Sequence, residues 1–171
     1  IAEADTRVLV LAALKGALSP VVHEPVSFVN APIIASERGI AVSEVRSTVS
    51  RDYVNLVALR AETEDGAVEV AGTLVGRRER LTRVLGFELE MAPARNMLFL
   101  TYEDRPGVIG RVGTILGEHG INIATMEVAR EAAGGLALMG LTVDSPVPPD
   151  VLEEVRGAVR ASAIRSIVLP A

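Results

Sequence analysis

One corner constrains this chain more than any other feature. The apolar run Met97-Leu98-Phe99-Leu100 leads into Tyr102-Glu103-Asp104-Arg105-Pro106-Gly107. Val108, Ile109, Val112, Ile115 and Leu116 then follow at the spacing of one helix face. A strand therefore hands over to a helix at a point that carries an acid, a base, a proline and a glycine. A second polar signal, Asn122, sits inside the next apolar run, Ile121-Asn122-Ile123.

The pattern continues to the end of the chain. Strand (about 96–103), helix (107–118), strand (121–129), strand (136–143), helix (150–161) and strand (164–169) give the order β-α-β-β-α-β, the ferredoxin-like arrangement. Val151, Leu152, Val155, Ala158 and Val159 repeat the helical spacing. Asp150, Glu153 and Glu154 lie early in that helix and Arg156 and Arg160 late, as the helix dipole prefers. Glu131-Ala132-Ala133-Gly134-Gly135 reads as a hairpin link. Two helices cover one face of such a sheet. The other face and the edges are left for a partner or a second copy, so dimerisation is expected.

The first part reads differently. Asp5-Thr6 caps a helix over about 7–18, apolar almost all round and so expected to be well buried, which Ser19-Pro20 ends. Residues 21–29 read as extended. Asn30-Ala31-Pro32 starts a short helix with Asn30 as the capping side chain, and Gly39 stops it. Ile40-Ala41-Val42 opens a strand. Val54 to Ala61 alternates as a strand with one face more buried than the other, and Glu64-Asp65-Gly66-Ala67 is a hairpin turn. Val68, Val70, Gly72 and Leu74 return, Gly76-Arg77-Arg78-Glu79 turns again, and 81–88 forms a further short strand pair. Met91 to Asn96 contains a proline and no apolar period. The chain is thus expected to be α+β: a first small domain over 1–92, helices packed on a mostly antiparallel sheet, then a ferredoxin-like βαββαβ domain over 96–171.

Composition removes whole classes of function. A net charge of -5 leaves no basic field for nucleic acid. No cysteine is present, which excludes disulfides, thiolate zinc sites and cysteine nucleophiles, and fits a reducing, cytoplasmic setting. The apolar run Val8 to Leu14 is far short of the roughly 20 residues that span a bilayer, so no membrane is expected. Because the first residue is Ile rather than Met, a longer parent protein is expected.

The polar residues point to binding rather than catalysis. Backbone N–H groups near Gly107 and Val108, at a helix start, suit an anion. Asp104 suits an ammonium group, Asn122 offers a donor and acceptors, and Tyr102 adds a phenol. That set matches an amino acid. The plainer alternative is that Asp104 only caps the helix and Asn122 starts a turn. Gly110, Gly113 and Gly117 form a stripe on the helix, for tight packing on the chain's own sheet or for close approach by a partner or ligand. Arg77, Arg78, Arg80 and Arg83 form either an anion site or a solvated turn. His23 and His119 lack companions for a metal, and no nucleophile–base pair, dinucleotide fingerprint or phosphate loop is present.

Tyr102-Glu103-Asp104-Arg105-Pro106-Gly107-Val108-Ile109-Gly110, followed by Gly120-Ile121-Asn122-Ile123, resembles the ACT domain, a family of amino-acid-binding regulatory modules, and more closely the C-terminal end of the D-3-phosphoglycerate dehydrogenase family. Phe28-Val29-Asn30-Ala31-Pro32 and Gly72-Thr73-Leu74-Val75-Gly76 resemble the intervening domain of the longer form of that enzyme. The resemblance implies that L-serine binds between two ACT domains as feedback inhibitor, with Tyr102, Asp104, Asn122 and the helix start at Gly107 and Val108 as contacts. It implies an anion-binding intervening domain, for which Arg80 and Arg83 are the nearest candidates. It implies homodimers through the ACT domains, a tetrameric parent, and NAD in the parent but no cofactor in this region. Two other readings stay open: a ligand-free assembly module, and a fragment of iron–sulfur L-serine dehydratase.

Overall fold

A computed structural model of the chain describes residues 5–49, 52–64 and 66–170. The chain divides into two compact units, Ile1–Leu59 and Arg60–Ala171. The fold is α+β, and the described residues form four helices and two four-stranded sheets.

The first unit holds α1 (Arg7–Leu18) and α2 (Ala31–Glu37), which pack on each other through Leu14, Leu18, Ala31, Ile34 and Ala35. Gly39 (φ +70°) ends α2: its N–H donates to the Ser36 carbonyl, and Ile40 N–H donates to the Ala35 carbonyl. This paired closure is what a glycine C′ residue permits. Several expectations are corrected in this unit. Leu18 is the one buried residue described on α1, because only the stripe facing α2 is covered. Residues 21–29 form turns and irregular backbone rather than an extended segment, since Pro20 and Pro25 lack N–H donors for a ladder. Asn30 does not cap α2. Its Oδ1 accepts from Ser27 N–H (2.6 Å) and its Nδ2 donates to the Pro25 carbonyl, closing the turn before the helix. Nor does Thr6 cap α1; its hydroxyl donates to Glu44. Ile40-Ala41-Val42 forms no strand.

The first sheet has the order β1-β2-β3-β4, with β1 Val57–Thr63, β2 Gly66–Val75, β3 Arg78–Val84 and β4 Phe87–Met91. β1 begins three residues later than the alternation suggests and is exposed on both faces beyond Val57, so no half-buried strand forms there. Asp65, of the expected hairpin turn, lies outside the described residues, while its neighbour Gly66 has φ +115°. Val75 pairs with Arg78, so the next turn is only Gly76-Arg77. Val84 pairs with Phe87 across Leu85 and Gly86, both at positive φ, as a tight right-twisting hairpin requires.

The second sheet has the order β6-β7-β5-β8, built from β5 (Asn96–Glu103), β6 (Ile123–Arg130), β7 (Leu136–Val143) and β8 (Ala163–Val168). α3 (Val108–Glu118) and α4 (Pro149–Val159) complete the ferredoxin-like βαββαβ unit. Leu98, Leu100 and Tyr102 of β5 face the main core with Val112, Ile115 and Leu116 of α3 and Val151 and Val155 of α4. Each such fully buried aliphatic side chain contributes about 1.5–3 kcal/mol.

The opposite face is not left for a partner. Met97 and Phe99 of β5 and Leu138 of β7 form a second core with Val84, Phe87 and Met91 of the first sheet. The chain covers this face with its own hairpin, because Met97, Phe99 and Leu138 would otherwise expose a broad apolar surface. Gly140 makes the contact possible. A Cβ there would lie 2.9 Å from Met91 Sδ and 3.1 Å from Phe99 Cε1. Gly140→Val is expected to destabilise the protein by roughly 1–3 kcal/mol. Denaturant unfolding of the two proteins side by side checks this, and equal midpoints would show that the inter-sheet contact is loose.

Candidate functional site

The corner is held at both ends. Asp104 N–H donates to the Gly135 carbonyl (2.8 Å), tying the end of β5 to the β6–β7 hairpin. Gly107 adopts φ +91° as the residue before α3, and no side chain caps the helix. Asp104 is therefore not a cap. Its carboxylate, 23% exposed, instead takes Arg130 Nη1 at Oδ2, 3.1 Å away. At this exposure the ion pair is worth less than about 1 kcal/mol. Arg105, the base that the sequence places in the corner, turns away and donates from Nη2 to the Val159 carbonyl at the end of α4 (3.1 Å).

Tyr102 sits beneath the corner rather than in it. It is 1% exposed and packs in the main core. Burial, and secondarily the charge of Asp104, raises its pKa. Sequence reasoning missed this, although the strand period was enough to find it: Tyr102 shares parity with Leu98 and Leu100, the helix-facing positions.

Asn122 lies at the other end of the sheet. Its Nδ2 donates to Asp144 Oδ2 (2.9 Å), and Asp144 N–H donates to the Asn122 carbonyl (3.1 Å). Asn96 Nδ2 in turn donates to the Asp144 carbonyl (3.2 Å), fixing that bend to the start of β5. Ile123 pairs with Val143, whereas Glu103 pairs with Leu136 at the far end of the same strand. That length of strand separates Asn122 from Asp104 by roughly 20 Å. Within one copy, the two residues cannot hold the same small molecule.

The glycine stripe also takes a definite form. A Cβ added at Gly110, Gly113 or Gly117 meets nothing within 4 Å, so the stripe is not packed on the chain's own sheet. Arg83 is balanced by acids: Nη1 lies 2.8 Å from Glu69 Oε1 and Nη2 3.5 Å from Glu88 Oε1, and these contacts raise its pKa. Arg80 donates to the Glu79 carbonyl. His119 meets Glu154 across the two helices at 2.8 Å, a pairing that no sequence spacing indicated. A groove of about 500 Å³ in the first unit, lined by Val10, Leu11, Leu14, Pro32, Ala35 and neighbouring residues, has no charged side chain in its lining and is unsuited to a zwitterion. Among the described residues no helix is long and apolar enough to cross a membrane.

Comparison with known proteins completes the picture. The profile of the D-3-phosphoglycerate dehydrogenase intervening domain matches residues 1–85, and that of the ACT domain matches residues 96–160. The chain belongs to the D-3-phosphoglycerate dehydrogenase family. It is 40% identical over 152 residues to the D-3-phosphoglycerate dehydrogenase of Synechocystis sp., covering 88% of this chain and 27% of that protein. The corresponding enzyme of Methanocaldococcus jannaschii is 37% identical, over 91% of this chain and 30% of its own length. That of Bacillus subtilis is 34% identical, over 99% of this chain and 33% of its own length. The chain thus spans a third or less of these relatives. The corner, Asn122 and the glycine stripe all fall within the ACT match.

The buried phenol generates a testable pH dependence. A phenol whose folded pKa is raised above 10.0 stabilises the fold fully below that pH and loses the contribution as pH rises through the raised value. Tyr102→Phe is therefore expected to lose less stability than the parent above about pH 10. Paired melting curves across that range check it. Parallel losses in both proteins would show that the phenol already ionises freely in the fold.

Proposed function

We propose that this chain is an amino-acid-sensing regulatory region that binds L-serine between two copies of its ACT domain. It then serves as the feedback-inhibition element of a D-3-phosphoglycerate dehydrogenase, whose NAD-dependent activity resides in other parts of the protein. The observation that carries this reading is the separation of Asp104 from Asn122. A site that uses both needs a second copy, and the sheet offers the means. β6 is an edge strand, and α4 lies over the β8 side, which leaves α3 and its open glycines toward β6. A two-fold axis that sets β6 antiparallel to its copy brings the start of one strand, beside Asn122, to the end of the other, beside Asp104. Each dimer then holds two equivalent sites. In each, Asp104 receives the ammonium, the N–H groups at Gly107 and Val108 receive the carboxylate, and Asn122 of the other copy receives the hydroxyl, with Tyr102 as the floor. A reducing, cytoplasmic setting and a tetrameric parent accord with this role.

A second reading is a ligand-free assembly module. The Asp104–Arg130 pair favours it, since the acid already has a counter-charge. The role of Arg80 and Arg83 as an anion site in the intervening domain requires an anion to compete with Glu69 for Arg83.

Titration calorimetry with L-serine, D-serine, glycine and L-alanine separates the two main readings. L-serine at millimolar concentration is expected to give a saturable heat, and its absence would leave only the assembly role. Asp104→Ala and Asn122→Ala should each abolish the heat. Mixing equal amounts of the two variants should restore about a quarter of it, because half of the dimers formed on exchange are mixed and one of the two sites in each then carries both wild-type residues. No recovery on mixing would exclude a site shared between copies. Gly113→Leu is expected to leave the melting temperature of the monomer unlowered, since nothing lies near its Cβ, yet to shift the chain from dimer to monomer in sedimentation. An unchanged dimer would place the interface elsewhere.

A further inference from the structure

We infer that Arg130 is the carboxylate-recognising residue of this site, an inference that rests on the amino-acid-binding reading of the Asp104 corner. Two arginines are candidates for that task, and the structure distinguishes them. Arg105 is adjacent to Asp104 in sequence, but its guanidinium is engaged at the Val159 carbonyl, where the negative end of α4 attracts it. Arg130 arrives from the end of β6, and its register opposite Ala137 puts it beside the corner. Its Nη1 reaches Asp104 Oδ2 at 3.1 Å while the side chain as a whole stays 60% exposed.

The pair matches the ligand class. An α-amino acid carries its ammonium and carboxylate on one carbon, so its two charges are separated by only a few ångströms. Asp104 and Arg130 present the opposite charges at a similar spacing and are already aligned. A guanidinium has five N–H donors in a planar fork, and one contact to Asp104 leaves donors for a bidentate carboxylate. A carboxylate likewise accepts more than one donor, so Asp104 can take the ammonium without releasing Arg130. The surroundings make a cation necessary. Glu103 pairs with Leu136, whose carbonyl accepts from the Glu131 N–H (3.2 Å), so the backbone brings Glu103, Asp104 and Glu131 to one end of the sheet, and a ligand carboxylate placed there against the helix start alone would enter a region of like charges. Arg130 and the uncapped N–H groups of α3 together offset them. The ion pair in the free chain is then a pre-set receptor for a zwitterion, and the assignment predicts that recognition depends on the ligand's carboxylate through Arg130.

The test compares L-serine with L-serinamide, which keeps the ammonium and hydroxyl but has no carboxylate, on the parent chain, Arg130→Gln and Arg130→Lys. The parent is expected to prefer L-serine by roughly tenfold to a hundredfold. Arg130→Gln should weaken L-serine by a similar factor, leave L-serinamide unchanged and so bring the ratio close to one. Arg130→Lys, which keeps the charge but not the fork, should fall between. Melting temperatures should stay equal across the set, since an exposed ion pair contributes little to the fold. A parent that binds L-serine while Arg130→Gln keeps the same preference would overturn the assignment alone. Tighter binding of both ligands to Arg130→Gln would make Arg130 a plug that competes for Asp104. A parent that binds neither ligand removes the amino-acid site and this assignment with it.

Discussion

β5 is buried on both faces, and the rest of the second unit depends on that. Leu98, Leu100 and Tyr102 anchor two helices, while Met97 and Phe99 anchor the hairpin of the first sheet. Every residue of β5 up to Tyr102 is buried, and only Glu103 emerges. The strand thus has no polar face, and its position between β7 and β8 leaves it no open edge. Its end is correspondingly well defined, and this is where Asp104 is delivered.

Much of this was legible in the sequence, and for a physical reason. The helical periods in residues 108–118 and 149–159 are strong, since α3 and α4 each bury one side against the same core. Gly39 was readable because few other residues adopt positive φ at low cost, whereas Gly107, read as the first residue of the helix, stands just before it at φ +91°. The covering of the second sheet face was readable too, in hindsight. Met97-Leu98-Phe99-Leu100 and the similarly unbroken 136–143 lack the alternation of a one-sided sheet, and a continuous apolar run signals burial on both faces. In contrast, β6 carries Thr125, Glu127 and Arg130 and is largely exposed, as an edge strand should be.

The rest was not legible because it depends on pairings across space. No local rule distinguishes Arg105 from Arg130 as the corner's base. The choice follows from where α4 ends and which residue β6 sets opposite Ala137. Asn30 illustrates a closer competition. Its side chain was free to cap α2 or to close the turn at Ser27, and proximity to Ser27 and Pro25 decided the matter. In the first unit, apolar composition alone suggested a buried α1. Burial needs a covering surface, and the contacts with α2 supply one for only a single stripe.

The strand order carries a consequence for how the chain acquires its structure. β5 is the first strand of its sheet in sequence but the second from an edge in space, and its neighbours β7 and β8 are separated from it by a helix, a hairpin and a second helix. During synthesis its Met97 and Phe99 face can meet β3 and β4 at once, because those strands precede it. Its two edges must wait for Leu136–Val143 and then for Ala163–Val168, near the end of the described chain. Pairings of such long sequence separation are slow to form. The early hairpin is therefore in place to cover the Met97 and Phe99 face of β5 before the last strand closes the sheet.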